Sequence, residues 1–265
     1  MRNLIEFASR RSELPVSGFT RRALEQLRHI QYRPIVTQED REEIYRLRYE
    51  MYRADDLLAP NDSRMLHDPL DDAEGAMAFG TYIDGRLVST IRLTRLCSEH
   101  RKGPSMVAYP EVVEPLLVAG KVLIDPARFA IDKTIAHRSP LLPHFTLRLA
   151  VMACLHFRAD YCTSVVQASH RAYYRHFLLA KETAGAKAFP GVTCLIHLLM
   201  TNVPESEDAI LGKHPFFRST DMEQRMLFRH LDGEPAPLAV TPTAEFAIRN
   251  LYRDARPVAL LEAAE

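Results

Sequence analysis

The clearest alternation of apolar and polar positions flanks the dipeptide Asp84-Gly85. Residues 76–83 and 86–96 both follow the two-residue period that a half-buried strand requires. Asp-Gly between two such runs favours a tight turn, because both residue types tolerate positive φ angles. The pattern therefore predicts a β-hairpin over these residues.

Helical spacing, capping residues and short apolar runs indicate the other elements. Helices are predicted at 2–10, 20–30, 38–58, 110–118, 141–160, 170–185, 207–212 and 221–231, with a last one from Pro242. Further strands are predicted at 31–37, 121–132, 162–169 and 191–202. This order predicts a mixed α/β fold with one central sheet and helices on both faces. Three segments follow: an N-terminal helical arm (1–31), a central domain (32–203) and a C-terminal helical extension (204–265).

The charge balance argues against nucleic acid as the main partner. The chain has 265 residues with 34 basic and 34 acidic side chains, whereas nucleic-acid-binding proteins usually carry a basic excess. The charges are unevenly spread, with seven Arg and three Glu in 1–33 but twelve acids and five Arg in 39–74. Each of these segments either faces a partner or forms a solvated helix surface.

The four cysteines have neither CxxC nor zinc-type spacing, so neither a disulfide framework nor a metal site is expected. A cytoplasmic location follows, because the N-terminus also lacks the apolar core of a signal peptide. The longest apolar run, near 149–155, is far shorter than the ~20 residues that span a bilayer. No transmembrane segment is therefore expected.

Charge at the end of the apolar strand 121–132 is the first pointer to chemistry. Val122, Leu123 and Ile124 lead directly into a segment that contains Asp125 and Arg128. Unpaired buried charge is costly, so these side chains need partners or a task.

Four short motifs across residues 44–132 resemble the GNAT-fold acyltransferases, in particular the branch of the long-chain N-acyl amino acid synthases and acyl-homoserine lactone synthases. The matching residues are Arg48 and Tyr52 in YRLRYEMY, Asp68 and Asp71 in HDPLDDA, Arg92 in STIRL, and Asp125 and Arg128 in DPARF. HRAYYRHF is similar to a late GNAT helix that carries an aromatic–Tyr pair, here Tyr173 and Tyr174. The resemblance implies a GNAT-like sheet.

Departures from the lactone synthases favour the N-acyl amino acid synthases. The chain has no Trp, and Thr94-Arg95 stands where the lactone synthases usually have Pro-Thr. In the last motif Asp125 replaces a Glu and Ala127 replaces a Ser.

The resemblance implies transfer of a fatty acyl group from a thioester to the amine of an amino acid. The amine must lose a proton to attack, and Asp125 is the candidate base, directly or through water. Alternatively, Asp125 pairs with Arg92 or Arg128 to hold the strand end. Tyr174 either protonates the leaving thiolate or is a core tyrosine, and His170 and His176 are more typical of satisfied or surface histidines.

Two arginines and two aspartates are expected to shape the site. Arg92 and Arg128 form an ion-pair network with Asp68 and Asp71 in this interpretation. Arg48 joins the network, binds the acceptor carboxylate, for which a guanidinium is well suited, or is an arginine on the surface of its helix. The remaining substrate-binding candidates are Tyr52 and the strand residues Phe129, Ala130 and Ile131, which would face the pantetheine arm of the donor.

The donor is expected to be an acyl carrier protein rather than coenzyme A. The R/Q-x-x-G-x-G/A loop that captures pyrophosphate at a helix N-terminus is missing before 141–160. The Arg-rich N-terminal arm would then meet the acidic carrier protein, and no tightly bound cofactor is implied. An acyl tunnel would be lined by segments 141–160 and 192–201, and helices after 204 would cap it. The lipid product would bring the protein to a membrane surface.

Other functions remain compatible with the sequence. An acyl-homoserine lactone synthase or an ornithine-lipid-type acyltransferase would share the fold and differ in the acceptor. A non-enzymatic GNAT-like module that binds a lipid or a carrier protein is the third alternative.

Overall fold

A seven-stranded mixed sheet forms the centre of the computed structural model, which describes residues 14–229 and 237–254. The strands are β1 (Ile30–Pro34), β2 (Ala76–Ile83), β3 (Arg86–Leu96), β4 (Leu123–Ile131), β5 (Tyr161–Gln167), β6 (Lys181–Ala188) and β7 (Leu195–Asn202). Their order across the sheet is β1-β2-β3-β4-β5-β7-β6. Every neighbouring pair is antiparallel except the central pair, β4 and β5.

Helices cover both faces of the sheet, as predicted. They are α1 (Gly18–Leu27), α2 (Gln38–Ala54), α3 (Pro104–Ala108), α4 (Pro110–Val118), α5 (Lys133–Ala136), α6 (Leu142–His156), α7 (Arg171–Phe177), α8 (Val203–Lys213), α9 (Asp221–Phe228) and α10 (Ala244–Asp254). Residues of α1, α6, α9 and α10 share one core cluster with the sheet. Helices α2 and α3–α4 belong to two further clusters, which use the alternate side chains of the strands and therefore lie on the other face.

The predicted hairpin is present. β2 and β3 pair through Asp84 and Gly85, whose φ angles are 49° and 78°. Positive φ at both central positions is what a type I′ turn requires. β1 lies at the edge of the sheet. Pro34 has no N–H to donate to a neighbouring strand, and an edge strand tolerates this loss.

The predicted helix 170–185 is wrong in its second half. Only α7 is helical, and the chain then continues into the edge strand β6. Leu179 between them has a φ of 53°, which interrupts the helical conformation. Lysine, glutamate and alanine favour helices in isolation, but hydrogen bonding of β6 to β7 overrides that preference here.

Smaller differences concern the ends of elements. α2 ends at Ala54 rather than at 58, and β7 begins at Leu195 rather than at 191. Helices α3 and α5 are too short to give a periodic signal in the sequence. The predicted helix 2–10 lies outside the described residues.

Segments on both sides of the central domain complete its main core. Leu24 of α1, Phe228 of α9 and Ile248 of α10 are buried in the same cluster as α6. Phe216, which follows α8, is fully buried there as well. Each of these apolar side chains contributes about 1.5–3 kcal/mol when fully buried.

Among the helices of the described ranges, none combines the length and the hydropathy that a membrane-crossing segment needs.

Candidate active site

A cleft opens in the middle of the sheet because β4 and β5 separate soon after they meet. Their parallel pairing covers only Leu123–Tyr161 and Ile124–Cys162. Pro126, two residues farther along β4, has no N–H to donate to a ladder. Beyond this point lies a cavity of about 470 Å³. Its walls include residues 126–131 of β4 and 165–167 of β5.

Arg128 lies on a β-bulge in the wall of this cavity. β3 and β4 pair at Thr90–Ala130 and again at Arg92–Ala127, so β4 has one residue more than β3 between these positions. Arg128 takes up the difference with a φ of 52°. Bulges of this kind redirect a side chain next to a binding site, and the left-handed conformation costs about 1–2 kcal/mol for a residue with a Cβ.

The Asp68 carboxylate accounts for that conformation. It accepts hydrogen bonds from Arg128 Nε at 3.0 Å and from Arg128 Nη2, and from Arg92 Nη1 at 2.8 Å. Asp71 accepts from Arg48 Nη1 at 2.8 Å and lies 3.1 Å from Arg92 Nη1. The predicted ion-pair network is therefore present, and Arg48 belongs to it.

The spacing of the two aspartates follows from the local backbone. Asp68 precedes a short 3-10 turn at Pro69–Asp72, and its Oδ1 accepts from the N–H of Leu70 at 2.8 Å. Asp71 Oδ2 accepts in return from the N–H of Asp68 at 3.0 Å. This reciprocal cap places two side-chain acceptors three residues apart, and it holds both carboxylates toward the arginines.

Charge pairing controls the ionisation of both aspartates. Burial opposes ionisation of Asp68, but Arg128 and Arg92 outweigh it and lower its pKa to about 2. Burial also opposes ionisation of Asp71, and Arg48 and Arg92 again outweigh it, so the pKa of Asp71 is lowered. Both groups are negative at neutral pH.

The predicted residues divide into those that line the cavity and those that lie behind it. The lining includes Arg92, Arg128, Tyr174, Tyr52, Phe129, Ala130 and Ile131. Arg48, Asp68, Asp71 and Asp125 do not reach it. Arg48 is fully buried, so the structure does not place it where it would bind an acceptor carboxylate directly.

Asp125 is also fully buried and has no contact with the cavity. Its Oδ1 accepts from Thr163 Oγ1 at 2.6 Å, and its Oδ2 accepts from Ser105 N at 2.8 Å and Ser105 Oγ at 2.7 Å. Its hydrogen bonds are therefore not to Arg92 or Arg128, the partners considered from the sequence. Burial raises the pKa of Asp125, although the hydrogen bonds from Thr163 and Ser105 oppose this effect.

Two adjacent tyrosines of α7 lie at the cavity with different partners. The hydroxyl of Tyr173 is 3.0 Å from Nδ1 of His144 on α6. Tyr174 is buried, and its ring packs edge-on against that of Tyr173, with the ring centroids 5.4 Å apart. Burial raises the pKa of Tyr174, so its hydroxyl stays protonated at neutral pH.

Some lining residues carry no signal in the sequence. They include Asp55, Lys133 and Phe189. Lys133 Nζ binds Asp55 Oδ1 at 2.5 Å across 78 residues of chain. A pair so far apart in sequence cannot be recognised without the fold.

The expected tunnel and cap are largely absent from the cavity lining. α6 contributes only Pro143, whereas the segment around β7 contributes Val192, Cys194 and Ile196. No described residue after Ile196 lines the cavity, so the helices after 204 do not cap it. They pack in the core cluster of α6 instead.

Comparison with known structures found several similar proteins, of which FeeM, with a TM-score above 0.5, shows the same fold. FeeM, an N-acyl amino acid synthase from uncultured soil microbes, is 20% identical with a TM-score of 0.56, covering 66% of this chain and 92% of that one. BjaI, a CoA-dependent acyl-homoserine lactone synthase, is 13% identical with a TM-score of 0.48, covering 69% and 89%. An acyl-CoA N-acyltransferase from Pseudomonas aeruginosa is 16% identical with a TM-score of 0.42, covering 65% and 97%.

Curated proteins gave no match to this chain. A family model described as N-acyl amino acid synthase FeeM matches residues 43–202, which is more than half of the chain. The matched region contains the ion-pair network and the lining of the cavity. The chain therefore belongs to the FeeM family of N-acyl amino acid synthases and is an N-acyltransferase with a GNAT-type fold.

Proposed function

We propose that this N-acyltransferase moves a long-chain fatty acyl group from an acyl carrier protein to the amine of an amino acid. The observation that carries the proposal is an excess of positive charge at the wall of a largely apolar cavity. The contacting groups of the network are three guanidinium groups and two carboxylates, which leaves one positive charge. An acceptor that carries a carboxylate would neutralise it.

Arg92 and Arg128 are the residues that would bind this carboxylate. Within the described residues, Arg92 uses only Nη1 on the aspartates, and Arg128 uses only Nε and Nη2. Each arginine thus keeps one terminal nitrogen without a partner, and both side chains line the cavity. Hydrogen bonds between guanidinium and carboxylate are strong and directional, which suits recognition of an α-amino acid.

The same positive charge assists the attack of the amine. An ammonium ion next to Arg92 and Arg128 is destabilised by like-charge repulsion, so its pKa falls and the neutral amine becomes more populated. Attack on the thioester carbonyl forms the C–N bond of the amide and breaks the C–S bond, which expels a thiolate. The nitrogen releases one proton to solvent in this step, and solvent later returns a proton to Tyr174. Tyr174, which lines the cavity with a protonated hydroxyl, is the group we assign to protonate that thiolate.

The carrier-protein donor is supported by the first turn of α6. The Leu142 N–H donates to Ser139 O at 3.0 Å, Pro143 has no N–H, and the His144 N–H donates to Leu141 O at 2.9 Å. Pyrophosphate binding at a helix N-terminus needs free N–H groups, and this turn offers few. A carrier protein brings its phosphopantetheine without a nucleotide pyrophosphate, so it does not need this site.

Matched donors would test the proposal. The purified protein would be incubated with a C14 acyl carrier protein or C14 coenzyme A, together with each of the twenty amino acids, and products would be identified by mass spectrometry. We expect N-acyl amino acids with the carrier-protein donor and at least tenfold slower turnover with coenzyme A. Decarboxylated amines of the same side chains should react far more slowly, because they cannot bind the two arginines.

Other outcomes would reassign the function. Equal turnover with both donors would contradict the carrier-protein part. Acyl lactone formed from S-adenosylmethionine, with no N-acyl amino acid, would identify a lactone synthase. Binding of acyl donors without turnover of any amine would indicate a non-enzymatic module.

A further inference from the structure

Asp125 connects three segments at the closed end of the cavity. The last main-chain pair between β4 and β5 is Ile124–Cys162. At the next position, side chains rather than main-chain groups hydrogen-bond the two strands. There Thr163 Oγ1 donates to Asp125 Oδ1 at 2.6 Å. The carboxylate thus replaces the ladder at the point where the two strands separate.

The second oxygen of Asp125 anchors α3. Oδ2 accepts from both the N–H and the hydroxyl of Ser105, at 2.8 and 2.7 Å. Pro104, directly before Ser105, lines the cavity. Gly103 packs so closely that an added Cβ would lie 2.9 Å from Asp125 Oδ2 and 2.9 Å from the side chain of Leu96. The position of Pro104 is therefore set by the Asp125 carboxylate.

The geometry of Asp125 does not suit a proton acceptor for substrate. The side chain is fully buried, lies outside the cavity lining and already accepts three hydrogen bonds. A general base must come within hydrogen-bond reach of the proton that it removes, or reach it through one water.

The closed end is where an acyl chain would terminate. With the thioester beside Arg92 and Arg128, the pantetheine arm would follow Phe129–Ile131 toward Lys133, a lining residue whose side chain is partly exposed to solvent. The acyl chain would then extend the other way, toward Pro126 and Pro104, which line the cavity beside Asp125.

We infer that Asp125 is a positioning residue that, through Ser105 and Thr163, fixes the closed end of the cavity and so sets the length of acyl chain that is accepted. This inference rests on the proposed acyl transfer. It assigns no proton to Asp125. Weakening the contact between Asp125 and Ser105 should let Pro104 move away and lengthen the cavity.

The chain offers a matched control in Asp160. Its carboxylate also joins β4 to β5, accepting from Lys121 Nζ at 2.8 Å and from Val122 N at 2.9 Å. It lies on the other side of the two parallel pairs, away from the cavity lining. Asp160→Asn should therefore loosen the same two strands without changing the closed end.

The test is titration calorimetry with N-acylglycines of 8 to 18 carbons, using the wild type, Asp125→Asn, Ser105→Ala and Asp160→Asn. Affinity of the wild type should rise about fourfold per methylene up to a limiting length and then stop rising. Ser105→Ala and Asp125→Asn should move that limit by two or more carbons, whereas Asp160→Asn should keep the wild-type limit. Ser105→Ala retains the carboxylate and its bond to Thr163, so it provides a milder variant if Asp125→Asn fails to fold.

Turnover separates this role from general base catalysis. Ser105→Ala should keep kcat for the preferred chain within threefold and leave the pH profile of kcat unchanged. An unchanged length limit in both folded variants would overturn the inference, and so would a hundredfold loss of kcat in Asp125→Asn that Ser105→Ala does not share. A wild type that binds no N-acylglycine at any length would instead contradict the proposed function itself.

Discussion

Arg148 of α6 and Glu223 of α9 form an ion pair in which both side chains are fully buried. Arg148 Nη1 donates to Glu223 Oε1, and Arg148 Nη2 donates to Glu223 Oε2 at 2.8 Å. Nη2 also donates to the carbonyl oxygen of Arg218 at 2.6 Å, and Nε donates to that of Phe216 at 3.0 Å. Glu223 Oε2 also accepts from the N–H and hydroxyl of Thr243 at 2.9 and 2.7 Å. One pair thus connects the central domain with three parts of the C-terminal segment.

Removal of one member of this pair should be strongly destabilising. Glu223→Ala leaves a buried guanidinium without its counter-ion, so we expect the free energy of unfolding to fall by about 3–5 kcal/mol. Urea unfolding followed by circular dichroism measures the change. Asp72→Ala, which breaks the exposed Arg41–Asp72 pair, is the control and should cost at most about 1 kcal/mol. Equal losses in the two variants would contradict the assigned role.

Arg92→Lys should impair binding of the acceptor. Lysine keeps the positive charge but lacks the planar guanidinium, whose several N–H donors can bind both aspartates and a substrate carboxylate at once. The loss of one charged hydrogen bond, about 1.5–3 kcal/mol, corresponds to a rise of roughly tenfold to hundredfold in KM for the amino acid. Steady-state kinetics with varied acceptor measures it.

Arg95→Lys is the control for that measurement, because Arg95 is on the same strand but its guanidinium lies 5.3 Å from the ring of Phe157, outside the cavity lining. Its KM should stay near the wild-type value. An Arg92→Lys enzyme with unchanged KM for the acceptor would argue against carboxylate binding at this position.

Tyr174→Phe should lower kcat by about a hundredfold if the hydroxyl protonates the thiolate, with little change in KM for either substrate. Burial raises the pKa of Tyr174, so wild-type kcat should not fall from ionisation of this hydroxyl up to about pH 10, the ordinary tyrosine value. A pH series of single-turnover rates tests both statements. Tyr161→Phe, at the start of β5 and outside the cavity lining, should behave like the wild type.

Stability should decrease between pH 6.5 and pH 4. Burial and the neighbouring His214 and His176 lower the pKa of His144 to about 4, and burial with nearby Lys213 lowers that of His214 to about 4. A histidine whose pKa is lower in the folded state binds protons mainly when the protein unfolds. Its stabilising contribution is therefore complete above pH 6.5 and is lost as the pH falls toward 4.

For the two histidines together we expect a loss of about 2–3 kcal/mol at pH 5 relative to pH 7. Asp68 does not contribute in this range, because its stabilising effect is lost only between about pH 4 and its folded pKa of about 2. His144→Gln should flatten the pH dependence, and substitution of the exposed His137 by Gln is the control variant. Identical slopes in wild type and His144→Gln would disprove this assignment.

Local signals were sufficient for part of the fold. Asp84-Gly85 identified the hairpin because the turn depends only on neighbouring residues. The strand β6 could not be found in this way, because its conformation comes from pairing with β7 rather than from its own residues.

The site shows the same division. The spacing of Asp68 and Asp71 reflects a local cap and was visible in the sequence. The family resemblance identified the arginines that pair with these aspartates. The surroundings of Asp125 depend on Ser105 and Thr163, which lie 20 and 38 residues away. Sequence reasoning therefore noticed the charge of Asp125 but assigned it the wrong neighbours.

The way in which the terminal segments complete the core bears on protein engineering. The region that matches the family, residues 43–202, excludes α1, α9 and α10, whose apolar side chains cover one face of the sheet. A chain cut to that region would keep α6 but expose the part of this face that α1, α9 and α10 cover, and it would lose the counter-ion of Arg148. The smallest unit that can be expressed, shuffled or fused is therefore larger than the part that carries the chemistry, and active-site grafts between relatives should retain each host's own termini.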